Sequence, residues 1–422
     1  MSRHFSQSAA GRLVRRPEFM LGAWLNTFFA AMIIGHSRQP ALLFVALVAG
    51  AALVVVLTWG RPARHQIGPM TAWGSLVLLG AILAGYAANL DRYDASFVFA
   101  NVTSMVLALG MAYLVATRLD LDWRLLLACH AVVALLLMPL PIAAGQMVWG
   151  RLLPGGLHPN YLGMIAMVAF IGALGMRPRL LRWLVLLVAS AVMVAVSSRA
   201  SMLASGVAAL AHAAAGAAGA PPRAPALAGA RTVHAALAVL GVGAGALALW
   251  LLEADWLMRA ADLLLKIDDP YRGVGTGASG RTEAWTAALA LWSAQPLLGV
   301  GFKGHTFLMP QELPAHSAYL GLLAETGVLG MAGYLTQCGA AVAGLWRQRR
   351  DPASRAGIAL VASYLVYGLV ETRAVGFGNP YSILFLWIAL YAPRLPLAEP
   401  FRIPRSHASQ PGPISRPEGS PP

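Results

Sequence analysis

Gly280–Gly330 reads GRTEAWTAALALWSAQPLLGVGFKGHTFLMPQELPAHSAYLGLLAETGVLG, and this stretch decides how the chain is organised. It leaves one hydrophobic region, crosses a polar interval and enters another hydrophobic region at His316. Arg281 and His316 are its two most reactive side chains, and a third candidate, Arg199, lies far upstream. Any function assigned to this chain has to account for these three residues.

The composition of the chain indicates an integral membrane protein. Of its 422 residues, 58% are hydrophobic and only 11% are charged, whereas soluble domains carry about 25% charged residues. A net charge of +14 does not predict a nucleic-acid partner, because basic residues of membrane proteins concentrate in cytoplasmic loops. Cys129 and Cys338 lie in apolar runs and predict no disulfide framework.

Apolar segments recur along most of the chain. A helix needs about 20 mostly apolar residues to cross a bilayer. About twelve spans are predicted, near Met20–Ser37, Ala41–Trp59, Thr71–Asn89, Phe97–Thr117, Arg124–Ala144, Tyr161–Met176, Leu180–Ser197, Ser201–Ala218, Val233–Leu252, Ser317–Trp346, Gly357–Glu371 and Tyr381–Tyr391. The expected fold is therefore an all-α polytopic membrane protein.

Basic residues in alternate loops predict the orientation of the spans. Both termini are expected on the cytoplasmic side and Glu253–Ala315 on the outer side, which also places Arg199, Arg281 and His316 outside. The predicted regions are a cytoplasmic segment at 1–19, a bundle of about nine spans at 20–252, an outer loop with short helices at 253–315, a bundle of about three spans at 316–393, and a disordered cytoplasmic tail at 394–422.

The two arginines suit an anionic ligand. Arg281 follows a glycine-rich loop, and a guanidinium offers forked donors that match phosphate oxygens; the alternative is that it reaches towards the membrane surface. Arg199 lies between apolar runs in VAVSSRASML, where an isolated cation is costly. Either an anionic ligand or an ion pair with Glu371 would offset that cost.

His316 and three carboxylates complete the candidates. With an ordinary pKa near 6.5, a histidine can accept a hydroxyl proton at neutral pH, although His316 could also be only a polar anchor at the membrane surface. Glu325 lies two to three turns into the following span, either as a functional carboxylate or as a hydrogen-bonding link between helices. Asp91 and Asp94 could form a metal pair, but two carboxylates alone do not predict a metal site.

The spacing Gly299-x-Gly301-x-x-Gly304 resembles a dinucleotide-binding fingerprint. That fingerprint requires a preceding strand and a following helix in a βαβ unit, and the sequence shows neither. We therefore expect no nucleotide or other cofactor here. A tight turn after Pro296, with close backbone packing, is the preferred interpretation.

Several motifs in and around this stretch occur together in one known family. They are Arg281-x-x-x-Trp285, Pro296-Leu-Leu-Gly299-x-Gly301, Ala315-His316-Ser317-x-Tyr319-Leu320 and Glu325-Thr-Gly327-x-x-Gly330. This set resembles the O-antigen ligase/polymerase superfamily, and Ser-Ser-Arg199-Ala-Ser resembles its upstream arginine motif. Ser317 stands where ligases often carry asparagine.

The resemblance implies a polytopic glycosyltransferase of the GT-C type in a bacterial inner membrane, with its active site facing the periplasm. The donor would be undecaprenyl-diphosphate-linked O-antigen, and the acceptor a sugar hydroxyl of the lipid A–core oligosaccharide. Membrane lipids would surround it, and transfer would proceed with inversion and without metal or cofactor. The residues implied are His316, Arg199 and Arg281 for catalysis, with Arg199, Arg281, Lys303, Arg259 and Arg272 for diphosphate binding.

Two other functions stay open at this point. A polymerase of the same superfamily would use the same chemistry with a growing glycan as acceptor. A transporter for lipid-linked sugars would predict repeated halves or charged residues at the bilayer midplane, whereas the candidates gather at one face.

Overall fold

A computed structural model describes residues 16–38, 41–148, 151–154, 158–219, 277–309, 314–371, 376 and 379–396. Its helices are α1 Pro17–Arg38, α2 Ala41–Thr58, α3 Pro69–Ala88, α4 Ala95–Arg118, α5 Trp123–Leu137, α6 Pro139–Ala143, α7 Pro159–Leu174, α8 Arg179–Ala195, α9 Arg199–Gly219, α10 Gly277–Ala294, α11 His305–Leu308, α12 Ala318–Arg347, α13 Pro352–Val370 and α14 Pro380–Tyr391, with a 3-10 turn at Leu90–Arg92. Every predicted span except Val233–Leu252 overlaps one of these helices, and Val233–Leu252 lies outside the described residues.

Six segments in the described part of the chain are long and apolar enough to cross a membrane. They are Pro69–Ala88, Ala95–Arg118, Trp123–Ala143, Arg199–Gly219, Ala318–Arg347 and Pro352–Val370. Leu42–Thr58, Pro159–Leu174 and Pro380–Tyr391 are shorter apolar helices. The chain is therefore a helical, multi-pass membrane protein, as its composition predicts.

Small residues let helices pack closely against each other in the two most extensive helix pairs. α3 packs along α12, and α9 packs in a similar way along α13. A Cβ atom built on Gly333 would lie 2.6 Å from the Leu78 nitrogen and 2.7 Å from the Gly74 oxygen. Nearby, the Gln337 amide donates to the Ser75 hydroxyl at 2.6 Å. Close backbone contact with a polar link is the usual way in which helices associate in membranes.

Two very short sheets depart from the all-α prediction. β1 His65–Gln66 pairs with β4 Leu395–Pro396, and β2 Gln146–Val148 pairs with β3 Arg151–Leu153, both antiparallel. β2 and β3 pair locally between α6 and α7, whereas β1 and β4 are far apart in the sequence, so helical periodicity could not reveal their pairing. The first sheet joins the loop before α3 to the segment after α14.

Candidate active site

Helix α12 is broken at Gly327, where φ is 62° and ψ is −166°. A break frees backbone carbonyl groups that an intact helix would use. The Ala324 carbonyl accepts from the Val300 nitrogen at 2.9 Å, and the Glu325 carbonyl accepts from the Gly301 nitrogen at 3.0 Å. The loop after α10 that contains Gly299, Gly301 and Gly304, called the glycine-rich loop below, therefore supplies the hydrogen bonds that the helix loses.

The same loop also serves the other side of the break. The Val328 nitrogen donates to the Pro296 oxygen at 2.9 Å. A Cβ atom on Gly327 would lie 2.2 Å from the Leu297 oxygen, and one on Gly299 would lie 2.4 Å from an α12 carbonyl carbon. Broken helices are tolerated in membranes only where neighbours satisfy the freed groups, and here the two glycines make that contact sterically feasible.

Replacing Gly327 with alanine is expected to destabilise the protein. The residue occupies a φ/ψ region that is essentially restricted to glycine, where strain costs about 1–3 kcal/mol, and the new Cβ would also collide with the facing loop. Gly339→Ala is the matched control, because no atom lies within 4 Å of a Cβ there and it belongs to the same helix. Thermal unfolding of the purified variants should show a lower Tm for Gly327→Ala alone; equal Tm values would contradict this account of the break.

Tyrosines hold the glycine-rich loop from the α3 side. The Tyr86 hydroxyl donates to the Phe302 oxygen at 2.8 Å, and the Tyr93 hydroxyl donates to the Val300 oxygen at 2.5 Å. Burial raises the pKa of Tyr93 to about 12, so this donor stays protonated. A Cβ on Gly304 would lie 1.9 Å from the Tyr93 hydroxyl, which explains the third glycine. The spacing is thus a packing motif, as the preferred interpretation of the sequence holds.

His305 and Glu325 form a buried pair behind this loop. The His305 Nδ1 atom lies 2.5 Å from Glu325 Oε1, and each residue is only 5% exposed. On the other side of the ring, Nε2 accepts a hydrogen bond from the Ala315 nitrogen at 3.4 Å. The pair therefore connects α12 to the backbone immediately before His316.

His316 lies just before α12 in a left-handed conformation with φ of 49°. The helix starts after Ser317, whose hydroxyl caps it by accepting from the Leu320 nitrogen at 3.4 Å. Burial and the positive charge of Arg281 lower the pKa of the half-buried His316. Among the residues that the structure describes, the imidazole has no hydrogen-bond partner. The described residues thus leave both imidazole nitrogens without a hydrogen bond.

Arg281 lies near the start of α10, opposite the end of α13. Its Nη2 atom lies 3.9 Å from Glu371 Oε1, too far for a hydrogen bond. The same carboxylate oxygen accepts from the Asn160 side-chain amide at 2.7 Å. The Arg281 side chain is 28% exposed and that of Glu371 only 6%. The carboxylate thus sets the position of the guanidinium without using its donors.

Arg199 begins α9 after a tight turn that follows α8. Ser198 in this turn packs on α7, since a Cβ on Gly163 would lie 2.4 Å from the Ser198 Cβ. Ser201, two residues after Arg199, lies within interaction distance of Tyr367 of α13, and Tyr367 is in turn within electrostatic reach of Arg281. The structure therefore brings Arg199 to the end of the bundle that carries Arg281.

Lys303 lies apart from the arginines and His316, in the lining of a cavity. It lines a cavity of about 710 Å³ together with His305 and Glu325, and Phe44 and Phe97 are among the apolar residues on its other walls. Burial lowers the pKa of the Lys303 ammonium group, and the negative charge of Glu325 opposes that change. Arg199, Arg281 and His316 do not line this cavity.

Four candidates remain: Arg259, Arg272, Asp91 and Asp94. Arg259 and Arg272 lie outside the described residues. Asp91 and Asp94 are exposed, and no group of three or more histidine, cysteine or acidic side chains in the described part of the chain could hold a metal ion.

Sequence reasoning left the role of Glu325 open and gave His305 none. A carboxylate in an apolar span is costly to bury without a partner, and that signal could have prompted a search for one. The partner lies 20 residues away on a separate short helix, so helical spacing could not reveal it.

Comparison with known proteins bears on the same part of the chain. Residues 160–335 match the family Wzy_C, described as O-antigen ligase. No curated protein matches the chain. The match runs from α7 into α12 and includes Arg199, Arg281 and His316. Together, the motifs and this match support the resemblance to the O-antigen ligase/polymerase superfamily over residues 160–335.

Proposed function

We propose that this protein is an O-antigen ligase of the periplasmic face of a bacterial inner membrane. It would transfer undecaprenyl-diphosphate-linked O-antigen polysaccharide to a sugar hydroxyl of lipid A–core, with inversion and without metal or cofactor. The proposed architecture is of the GT-C type, with about twelve spans and both termini in the cytoplasm.

The observation that carries this proposal is the neighbourhood of His316 and Arg281. Burial and then the charge of Arg281 lower the pKa of the His316 imidazole, so the two groups lie within electrostatic reach of each other. Neither side chain makes a hydrogen bond to the described residues. A cation beside an imidazole whose pKa is lowered suits a reaction that produces an anion and takes up a proton.

The chemistry divides between these groups. The bond from the anomeric carbon to the diphosphate oxygen breaks as a new bond forms to the acceptor hydroxyl oxygen. His316 takes the hydroxyl proton, and undecaprenyl diphosphate leaves with the negative charge. Arg281 and Arg199 stabilise that charge, because preformed donors aimed at a developing anion are among the strongest contributions to catalysis.

The cavity beside Lys303 supports an amphipathic substrate. Its apolar walls come from α2 and α4, and its polar wall carries an ammonium group. Lys303, Arg259 and Arg272 are proposed as further diphosphate contacts. In this assignment Lys303 binds phosphate further from the reacting carbon than the two arginines do.

The closest alternative is an O-antigen polymerase, since both enzymes would use the same donor. Deletion of the gene followed by analysis of lipopolysaccharide separates them. Core without polymer, with lipid-linked polymer accumulating, supports a ligase. Core carrying a single repeat unit identifies a polymerase, and unchanged lipopolysaccharide refutes both.

The proposed orientation predicts which positions are open to the periplasm. In a chain lacking its two native cysteines, Glu283→Cys should react with a membrane-impermeant maleimide in intact spheroplasts. Pro62→Cys, in the loop before α3, is the matched control and should react only after lysis. Both positions are exposed in the structure. The opposite labelling pattern would remove the periplasmic site from the proposal.

A further inference from the structure

We propose that His305 and Glu325 act as a positioning pair that holds the loop bearing His316 in its reactive conformation. This inference rests on the proposed role of His316. The pair itself does not contact the substrate in this proposal; it acts through the backbone at Ala315.

The hydrogen bonds determine which nitrogen of His305 carries the proton. The Ala315 nitrogen is a donor, so Nε2 has to present a lone pair at 3.4 Å. The proton therefore lies on Nδ1 and is donated to Glu325 Oε1 at 2.5 Å. A carboxylate on one ring nitrogen commonly selects the tautomer and ring orientation in this way. Glu325 thereby makes His305 an acceptor for the loop.

Packing leaves the ring little freedom to turn. The pair is buried, and the His305 ring lies against α12, where a Cβ on Gly321 would be in van der Waals contact with Cε1 at 3.4 Å. Glu325 is fixed as well, because its own carbonyl accepts from Gly301 beside the break in α12. The pair is thus a rigid support for whatever bonds to Nε2.

The backbone around His316 has an unusual conformation that has to be stabilised by its surroundings. His316 has a φ of 49°, a conformation that non-glycine residues adopt infrequently and that persists where the surroundings enforce it. Ala315 is fully buried, and its bond to His305 fixes the peptide immediately before this residue. On the other side, the Ser317 cap fixes the start of α12. The backbone of His316 is therefore held from both sides, within electrostatic reach of Arg281.

Two substitutions at His305 separate the two bonds. In His305→Gln the amide oxygen can replace Nε2 and accept from Ala315. In His305→Asn the shorter side chain can replace Nδ1 and meet Glu325 but cannot reach Ala315. At position 325, Glu325→Gln keeps an acceptor for Nδ1, whereas Glu325→Ala removes it. Each pair contains its own conservative control.

The experiment measures kcat and donor KM for purified variants in lipid nanodiscs, together with their Tm. We expect His305→Asn and Glu325→Ala to lower kcat by about 10–100-fold, as loss of such supporting contacts typically does, with donor KM near wild type. His305→Gln and Glu325→Gln should recover most of kcat. Equal losses in His305→Gln and His305→Asn would overturn the proposal.

A double-mutant cycle distinguishes positioning from general stability. If His305 acts through His316, adding His305→Asn to His316→Gln should cause little further loss, since both changes remove one function. A full additional loss of the size seen in the wild-type background would show that the pair acts independently and would overturn the inference. Wild-type turnover by a folded His316→Ala protein would instead refute the proposed catalytic role of His316.

Discussion

Replacement of His316 with alanine is expected to lower the rate of polysaccharide transfer by about 10²–10⁴, the usual contribution of a general base. The loss should be in kcat, because the diphosphate contacts proposed for the arginines remain. The imidazole is suited to the role because it is half-buried, lies beside a cation and has no hydrogen-bond partner among the described residues. His316→Gln should retain slight activity if orientation of the acceptor contributes besides proton transfer.

The measurement is in vitro ligation with purified variants, accompanied by a donor-binding assay and thermal unfolding. His65→Ala is a matched control. His65 pairs with Asp120 beside the start of α3, whereas the glycine-rich loop contacts the other end of that helix. It should keep wild-type kcat. Wild-type turnover by a well-folded His316→Ala protein would leave that histidine as a polar anchor only.

Hydropathy predicted most of the helices because the bilayer imposes a length and a composition on each span. The break in α12 is different, since Gly327 lies in an apolar run whose composition continues through it. The break is caused by a loop that ends more than 20 residues earlier and supplies hydrogen bonds to the helix backbone. The sequence showed that Gly299 and Gly301 form a tight turn, but it could not show which backbone they approach.

Only those parts of the candidate site that depend on local motifs could be predicted from the sequence. His316 and Arg281 follow from local motifs, and the structure places them within electrostatic reach. The buried link between His305 and Glu325 depends on how α11 folds back on α12, which no local pattern encodes. Lys303 was grouped with the arginines because it is basic, yet it faces a separate cavity. Its charge alone could not predict this position.

Arg281→Lys is expected to lower kcat by about 10²–10³, the cost of removing one preorganised donor to a developing anion. Lysine keeps the charge but loses the planar fork that matches two phosphate oxygens. Among the described residues, the guanidinium makes an ion pair with Glu371 at 3.9 Å, a distance too long for a hydrogen bond. Arg347→Lys, at the exposed end of α12, is the matched control and should not change kcat.

The dependence of kcat/KM on pH separates the effect of the positive charge of Arg281 from the effect of its planar shape. Burial and this charge lower the pKa of His316 below the ordinary 6.5, so the neutral base persists in mild acid. The acidic limb of kcat/KM should therefore lie below pH 6.5 in the wild type.

Arg281→Gln removes the cation and leaves Glu371 unbalanced, and both effects raise the pKa of His316. We expect its acidic limb to move to higher pH, whereas Arg281→Lys should keep the limb near that of the wild type with a lower plateau. A limb that is unchanged in Arg281→Gln would show that His316 does not sense this charge, and would separate the two residues functionally.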